Sequence, residues 1–350
     1  MAVYPAYRGK QRKQGNMKAV TPFSDEQARN LINIRQQYEV WRDSERALAE
    51  MPYNLRIKEV SGNAYLYELT DREGNMKSLG RLDDEKQAQF DAYKSDKEEV
   101  KARIEASRTM LAERARIYRS LHLPMIDPEA GKILREADRR QLLGSHLMVV
   151  GTNAMPAYHI EAGGAIRDVP EETLDFDLAW TAEPPADEIS SIWMMLKAVD
   201  RTYSVNTERQ FQARNAKAYE VEILAAPSTI DGMFRKDQPR PIALPEQEWL
   251  LLGRQVDHVV IARNNAPARI VAPDPRYFAL HKLWMAEKAG RNPLKRPKDE
   301  KQGMLLLDAV AEAMPHYPMD NAFVSSLPPA LLPHFDRWRA QWKGEPASSW

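Results

Sequence analysis

The sequence predicts an α+β protein: a mixed sheet flanked by helices, with a long-helix arm ahead of it and a further helical region behind. Three observations carry this. From about Asp83 to Leu121 there is no proline or glycine, and Tyr93, Val100, Ile104, Leu111 and Tyr118 recur at three-four spacing, as in one long charged helix. The stretches HLMVV, TLDFDLAW and AYEVEIL are short and either apolar throughout or strictly alternating, as strands are. Behind them YFALHKLWMAEKAG repeats as an amphipathic helix.

Taken in order, residues 1–23 carry Arg8, Lys10, Arg12, Lys13 and Lys18 with no acid, and are expected to form a flexible basic arm. Residues 24–140 are expected to form an N-terminal helical extension. Ser24 with Gln27 three positions later is a capping box that opens a helix through Leu31, Ile34, Tyr38, Trp41 and Leu48, ending near Pro52. Alternation at Tyr65, Tyr67 and Leu69 before Asp71–Asn75 suggests a hairpin, and the Asp83–Leu121 helix is expected to lie antiparallel to the first. A helix over Lys132–Leu143 leads into the sheet region, residues 141–235, expected to be the catalytic core. Residues 236–350 are expected to form a mixed or helical C-terminal region: PEQEWLLL as a helical turn, VDHVVIA and ARIVAP as strands, then the YFALHKLWMAEKAG helix and a short last helix from Phe335 to Trp342.

The bulk numbers narrow the chemistry. A formal net charge of +0 gives no global attraction to nucleic acid or acidic membrane. There is no cysteine, which excludes disulfides, thiolate zinc sites and thiol nucleophiles, and the seven histidines never fall two to five residues apart. A metal site would have to use oxygen ligands. No apolar run approaches the roughly 20 residues of a membrane span, and MAVYPAYRGKQRKQ lacks the apolar core of a secretory signal, so a cytoplasmic protein without membrane partners is expected.

In a chain with 50 acids among 350 residues, chance supplies about seven acid-x-acid spacings, so context must give such a pair meaning. In TLDFDLAW, Leu174, Phe176 and Leu178 alternate with Asp175 and Asp177, so a strand would bury one set and aim both carboxylates the same way. In AYEVEIL, Val221 and Ile223 alternate with Glu220 and Glu222 likewise. Like charges held that close repel unless a divalent cation neutralises them, and magnesium prefers oxygen ligands. Upstream, VVGTNA ends a strand at Gly151 and opens a helix at Thr152 or Asn153, a turn whose backbone N–H groups suit phosphate oxygens.

The order strand, Gly151-Thr152, helix, Asp175-x-Asp177, then Glu222 between apolar residues resembles the polymerase-beta nucleotidyltransferase superfamily. More narrowly, VVGTNAMPAY, TLDFDLAW, RNAKAYEVEIL and DPRYFALHKLWMAEKAGRNPLKRPKD resemble a bacterial family of nucleotidyltransferase-domain proteins related to the abortive-infection (AbiEii-type) toxins, over roughly Leu143–Val310. The resemblance implies a polymerase-beta-like core and two magnesium ions held by Asp175, Asp177 and Glu222, with Glu222 helping to deprotonate an acceptor hydroxyl. It implies nucleotide contacts from Gly151, Thr152 and Asn153, from the helix lysine Lys282, from Lys295, Arg296 and Asp299, and more weakly from Arg276. Thr152 stands where serine is commoner and Glu222 where aspartate is commoner.

The expected function is transfer of a nucleoside monophosphate from an NTP to a hydroxyl of RNA, such as a tRNA 3' end, or of a protein, in a toxin or phage-defence setting. The alternative is a catalytically reduced nucleotide-binding adaptor that engages a partner protein through the helical arm. A purely structural coiled-coil protein is the third option.

Overall fold

The computed structural model describes residues 18–71, 73–170, 175–181, 192–230 and 237–344. Arg8, Lys10, Arg12 and Lys13, and the Thr173-Leu174 start of the second expected strand, lie outside these residues.

The capping box forms as its residues require. The Ser24 hydroxyl accepts from the Gln27 backbone N–H and the Gln27 side chain accepts from that of Ser24, opening α1 (Asp25–Glu50). The long helix α2 (Asp84–Ser120) is capped by Asp83, whose carboxylate accepts from the Lys86 N–H. The two run antiparallel: Gln27 donates to the Leu121 carbonyl at one end, Gln37 to Ser107 midway, and Lys97 to the carbonyls of Pro52 and Tyr53 at the other. Between them the expected hairpin is a three-stranded antiparallel sheet, β2 (Asn54–Val60), β3 (Asn63–Leu69) and β4 (Met76–Arg81).

The basic segment's last residues are not loose. Val20–Pro22 forms β1, which pairs antiparallel with β7 (Gly164–Ile166). After α2 and the short β5 (Met125–Ile126), the helix expected over Lys132–Leu143 runs instead as α3 (Pro128–Arg139). It begins earlier because Asp127 caps it with Pro128 in its first turn.

The principal sheet is mixed. β6 (Leu147–Val150) pairs antiparallel with β8 (Asp175–Trp180), β8 parallel with β11 (Glu220–Ala225), β11 antiparallel with β10 (Gln212–Arg214), and β10 antiparallel with β9 (Ser204–Val205); β12 (Ile242–Ala243) adds to the end of β11. Phe176, Leu178, Val221 and Ile223 are all fully buried, so alternation correctly marked the core face. A second sheet is built from β5, β13 (Val256–Ala262) and β14 (Pro267–Ala272), with α3 and α4 (Met155–Glu161) packed on it.

After α5 (Ile192–Val199), which packs on α3, α6 (Pro275–Glu287) packs extensively against α7 (Arg296–Ala313). The close approach depends on Gly303, where a Cβ would lie 2.7 Å from the Ala279 carbonyl oxygen. Past the short α8 (Asn321–Ser326), the last helix begins ahead of the expected Phe335, as α9 (Leu332–Gln341). The arm docks through a smaller apolar cluster of Ile34, Tyr38, Leu111, Ala115 and Tyr118 against Val259 and Ile261 of β13, and the Tyr38 hydroxyl donates to Asp138 at 2.8 Å. No helix among the described residues is long and apolar enough to cross a membrane.

Candidate active site

The register of the principal sheet decides which side chains meet. Val150 of β6 lies opposite Asp177, Asp177 opposite Glu222, and Glu222 opposite Gln212, one row across four strands. Two residues away, Asp175 lies opposite Glu220 and Glu220 opposite Arg214. Residues opposite one another share a face, so Asp175, Asp177, Glu220 and Glu222 all project from the side not packed into the core. Sequence alternation gives each strand its polar face, and the parallel pairing of β8 with β11 puts the two faces side by side.

Gly151 closes the row. It has φ 73°, in the left-handed region, and a Cβ there would sit 2.1 Å from the Asp177 Oδ2. The chain then turns through Thr152–Ala154 into α4, with the Asn153 side chain donating to the Asp175 carbonyl oxygen at 2.8 Å. Thr152 is held from below: the fully buried Gln302 of α7 donates to its Oγ1 at 3.3 Å and to the Pro170 carbonyl at 2.6 Å. Gly151→Ala meets two penalties together, backbone strain of about 1–3 kcal/mol and a clash with a carboxylate. We expect a lowered melting temperature, measured by thermal unfolding; a variant as stable as the parent would contradict the described contact.

The electrostatics are those of a site crowded with like charge. Burial raises the Asp177 carboxyl above the ordinary carboxylate range and Asp175 adds to the rise, while Lys282, Lys295 and Arg291 oppose it. Burial, then the charges of Asp177 and Asp175, push Glu222 up to about 7. Gln212 donates to both Glu222, at 3.1 Å, and Glu220, at 2.8 Å, and Glu220 is also ion-paired with Arg214. Lys295 reaches Asp175 at 2.7 Å; burial works against its charge, yet the contact with Asp175 holds its pKa above the usual lysine value.

The remaining expected residues divide. Lys282 on α6 is 7% exposed and pairs at 3.0 Å with Asp299, which is 1% exposed and also pairs with Arg291 at 2.6 Å. This triad, buried at Lys282 and Asp299 and half-buried at Arg291, stands near enough for Lys282 and Arg291 to act on Asp177. Arg276 is not brought to them. Its guanidinium binds Asp274 and the Pro318 carbonyl and lies over Phe323, so it serves C-terminal packing. Arg296 is likewise engaged elsewhere, donating to the carbonyls of Lys288, Ala289 and Arg291. Gln212, Gln302 and Arg291 carried no sequence signal, since a lone amide or guanidinium fits no motif; they become visible through strand register and helix packing.

The donor set suits a hard divalent cation: oxygens only, three carboxylates on neighbouring strands, and two of them, Asp177 and Glu222, held toward their neutral forms by burial and by neighbouring carboxylate charge. Among the described residues no three His, Asp or Glu side chains stand arranged as a metal site; Asp175 is paired with Lys295, and Glu222 accepts from Gln212.

A family model described as Nucleotidyltransferase matches residues 128–328, more than half of the 350-residue chain. The chain belongs to this nucleotidyltransferase family. Membership supports nucleoside monophosphate transfer in general, with a nucleoside triphosphate as donor, and the match spans β6, β8, β11, α6 and α7, every element that contributes to the carboxylate site. No curated protein and no solved structure matches the chain. The nucleotidyltransferase match begins at α3, leaving α1, β2–β4 and α2 ahead of it.

Proposed function

We propose that this nucleotidyltransferase moves a nucleoside monophosphate from an NTP onto a hydroxyl of RNA, on a polymerase-beta-like core related to the abortive-infection toxins. The reading rests on one observation: the register that sets Asp177 against Glu222 beside Gly151, with Asp175 two residues away on the same face. In it, Asp175, Asp177 and Glu222 would hold two magnesium ions. When bound, these supply charge neutralisation at the phosphates and a lowered pKa for the attacking hydroxyl.

The chain's own residues have separate tasks. Gly151 and Thr152 let the backbone approach the triphosphate, and Gln302 holds the turn in place. Lys295, paired with Asp175, is the cation best placed to shift onto a phosphate oxygen as the nucleotide enters. Lys282 and Arg291 hold positive potential near the site without leaving Asp299. Glu222 lies beside Asp177, where it would help to take a proton from the acceptor hydroxyl; burial and the charges of Asp177 and Asp175 push its metal-free carboxyl up to about 7, and a bound cation would return it to the ionised form. Residues 141–235 carry the carboxylates in this scheme, 236–350 the basic triad, and 24–140 the arm.

The test is incubation of the purified protein with each α-labelled NTP, magnesium and total cellular RNA. Label on RNA that disappears with a chelator is the expected result; no label on RNA with any of the four nucleotides would overturn the proposal, and label on protein instead would reassign the acceptor.

A further inference from the structure

The sheet at the tip of the arm has one face that neither the core nor the transfer site uses. In β2, β3 and β4 the register aligns Lys58 with Tyr65 and Tyr65 with Arg81, and aligns Arg56 with Tyr67 and Tyr67 with Ser78. Tyr65 is therefore flanked by a cation on each side and Tyr67 by one. Val60, 45% exposed, and Met76, 39% exposed, extend the same face. Its other members, Asn54, Asn63 and Leu69, bring no acid, and Leu69 is buried at the root of the sheet beside α2. The opposite face carries the buried Leu55 and Leu66, and Leu55's strand contacts α2.

None of Arg56, Lys58 and Arg81 makes an ion pair or hydrogen bond among the described residues, and neither tyrosine ring is stacked on an aromatic or capped by a cation. Elsewhere on the arm Arg35, Lys86, Arg103 and Arg108 each meet an acid, whereas these three cations stand together on one face without one. Three unmatched, exposed cations beside two half-buried rings complement a polyanion with flat bases. A duplex hides its bases, so the fit is to a single strand, whose phosphates meet the cations and whose bases stack on the rings. An acidic protein surface would use the cations and leave the rings idle.

We propose that this face is a docking platform for single-stranded RNA. The choice of RNA over DNA rests on the transfer reading above. Ser107 faces Gln37 where the arm meets the core, and the stretch of α2 ahead of it reaches about 35 Å outward at about 1.5 Å per residue. The platform thus grips the acceptor strand at a distance from the reacting hydroxyl and selects RNAs long enough to span both points.

The experiment uses the full chain and a fluorescently labelled oligouridylate, followed by anisotropy. Tyr65→Ala with Tyr67→Ala is expected to weaken binding by about tenfold or more, and Tyr65→Phe with Tyr67→Phe to retain it. Replacing Arg56, Lys58 and Arg81 by glutamine should weaken binding and flatten its salt dependence. Unchanged affinity in the double alanine variant, with its melting temperature intact, would overturn the platform, as would tighter binding of oligothymidylate. Asp177→Asn separates the two readings: it should bind RNA as the parent does while transferring nothing. Transfer to RNA by tip variants that still bind normally would defeat the platform alone. Tip-dependent RNA binding by a parent protein without transfer would defeat the enzymatic reading alone.

Discussion

Asp177→Asn is expected to lower nucleotidyl transfer by about a thousandfold or more, because several kcal/mol of charge stabilisation depend on that carboxylate and each 1.4 kcal/mol is tenfold in rate. The same substitution should not weaken the fold. Asp177 is a desolvated carboxyl set against Asp175 and Glu222, and removing its charge relieves repulsion while keeping the shape that Gly151 accommodates. A melting temperature equal to or above the parent's, measured without metal, accompanies the lost activity. The pH dependence follows in sign. Glu222 has a folded pKa of about 7, above the ordinary carboxylate value of about 4.3, so folding takes up a proton. The stability this contributes is present at low pH and is lost as pH rises through about 7. Metal-free parent protein should therefore melt progressively lower across that interval, and Asp177→Asn should fall less, since one charge opposing Glu222 ionisation is gone. A flat profile in the parent, or an active Asn variant, would contradict the arrangement.

Asp299→Ala is expected to lower unfolding free energy by about 3–5 kcal/mol, the cost of stranding buried charge. Asp299 accepts from Lys282 on α6 and from Arg291 beyond it, and with only 1% of its surface exposed no water can replace it. Without it two cations face each other with Asp177 as the nearest compensation. Against a total stability of about 5–15 kcal/mol the loss is large, and denaturant titration would reveal it as a shifted midpoint. A loss under about 1 kcal/mol, the range of exposed pairs, would mean that the triad is solvated in solution. Lys282→Met with Asp299→Leu should recover part of the loss, because matched apolar groups replace a buried pair better than a broken one does.

Much of this was legible in the sequence, for reasons that differ by element. The capping box at Ser24 and the uninterrupted Asp83–Leu121 stretch are local signals, and α1 and α2 follow them within a residue or two. The alternation in DFDLAW and EVEILA likewise fixed which faces are buried, because a strand's period leaves no other choice. What alternation cannot supply is the pairing partner. That Asp177 stands opposite Glu222 rather than Glu220 is a property of register, settled by packing along the whole sheet. α7 was obscured by Gly303 in its middle, a residue that weakens the helical pattern but is required by the Ala279 carbonyl against it. Arg276 illustrates the converse error: a basic residue near a suggestive helix, already engaged by Asp274. Gln212 lay beyond reach because its importance comes wholly from where β10 folds back.

The arm's attachment has a mechanical implication. α1 and α2 are seated on Val259 and Ile261 of β13 and tied at Asp138, all outside the sheet that bears the carboxylates. A pull at the far end is therefore delivered first to β13 and α3 and reaches the carboxylate strands only through the core that the two sheets share. The lever and the site are joined by packing alone, with no described segment of the arm entering the carboxylate row.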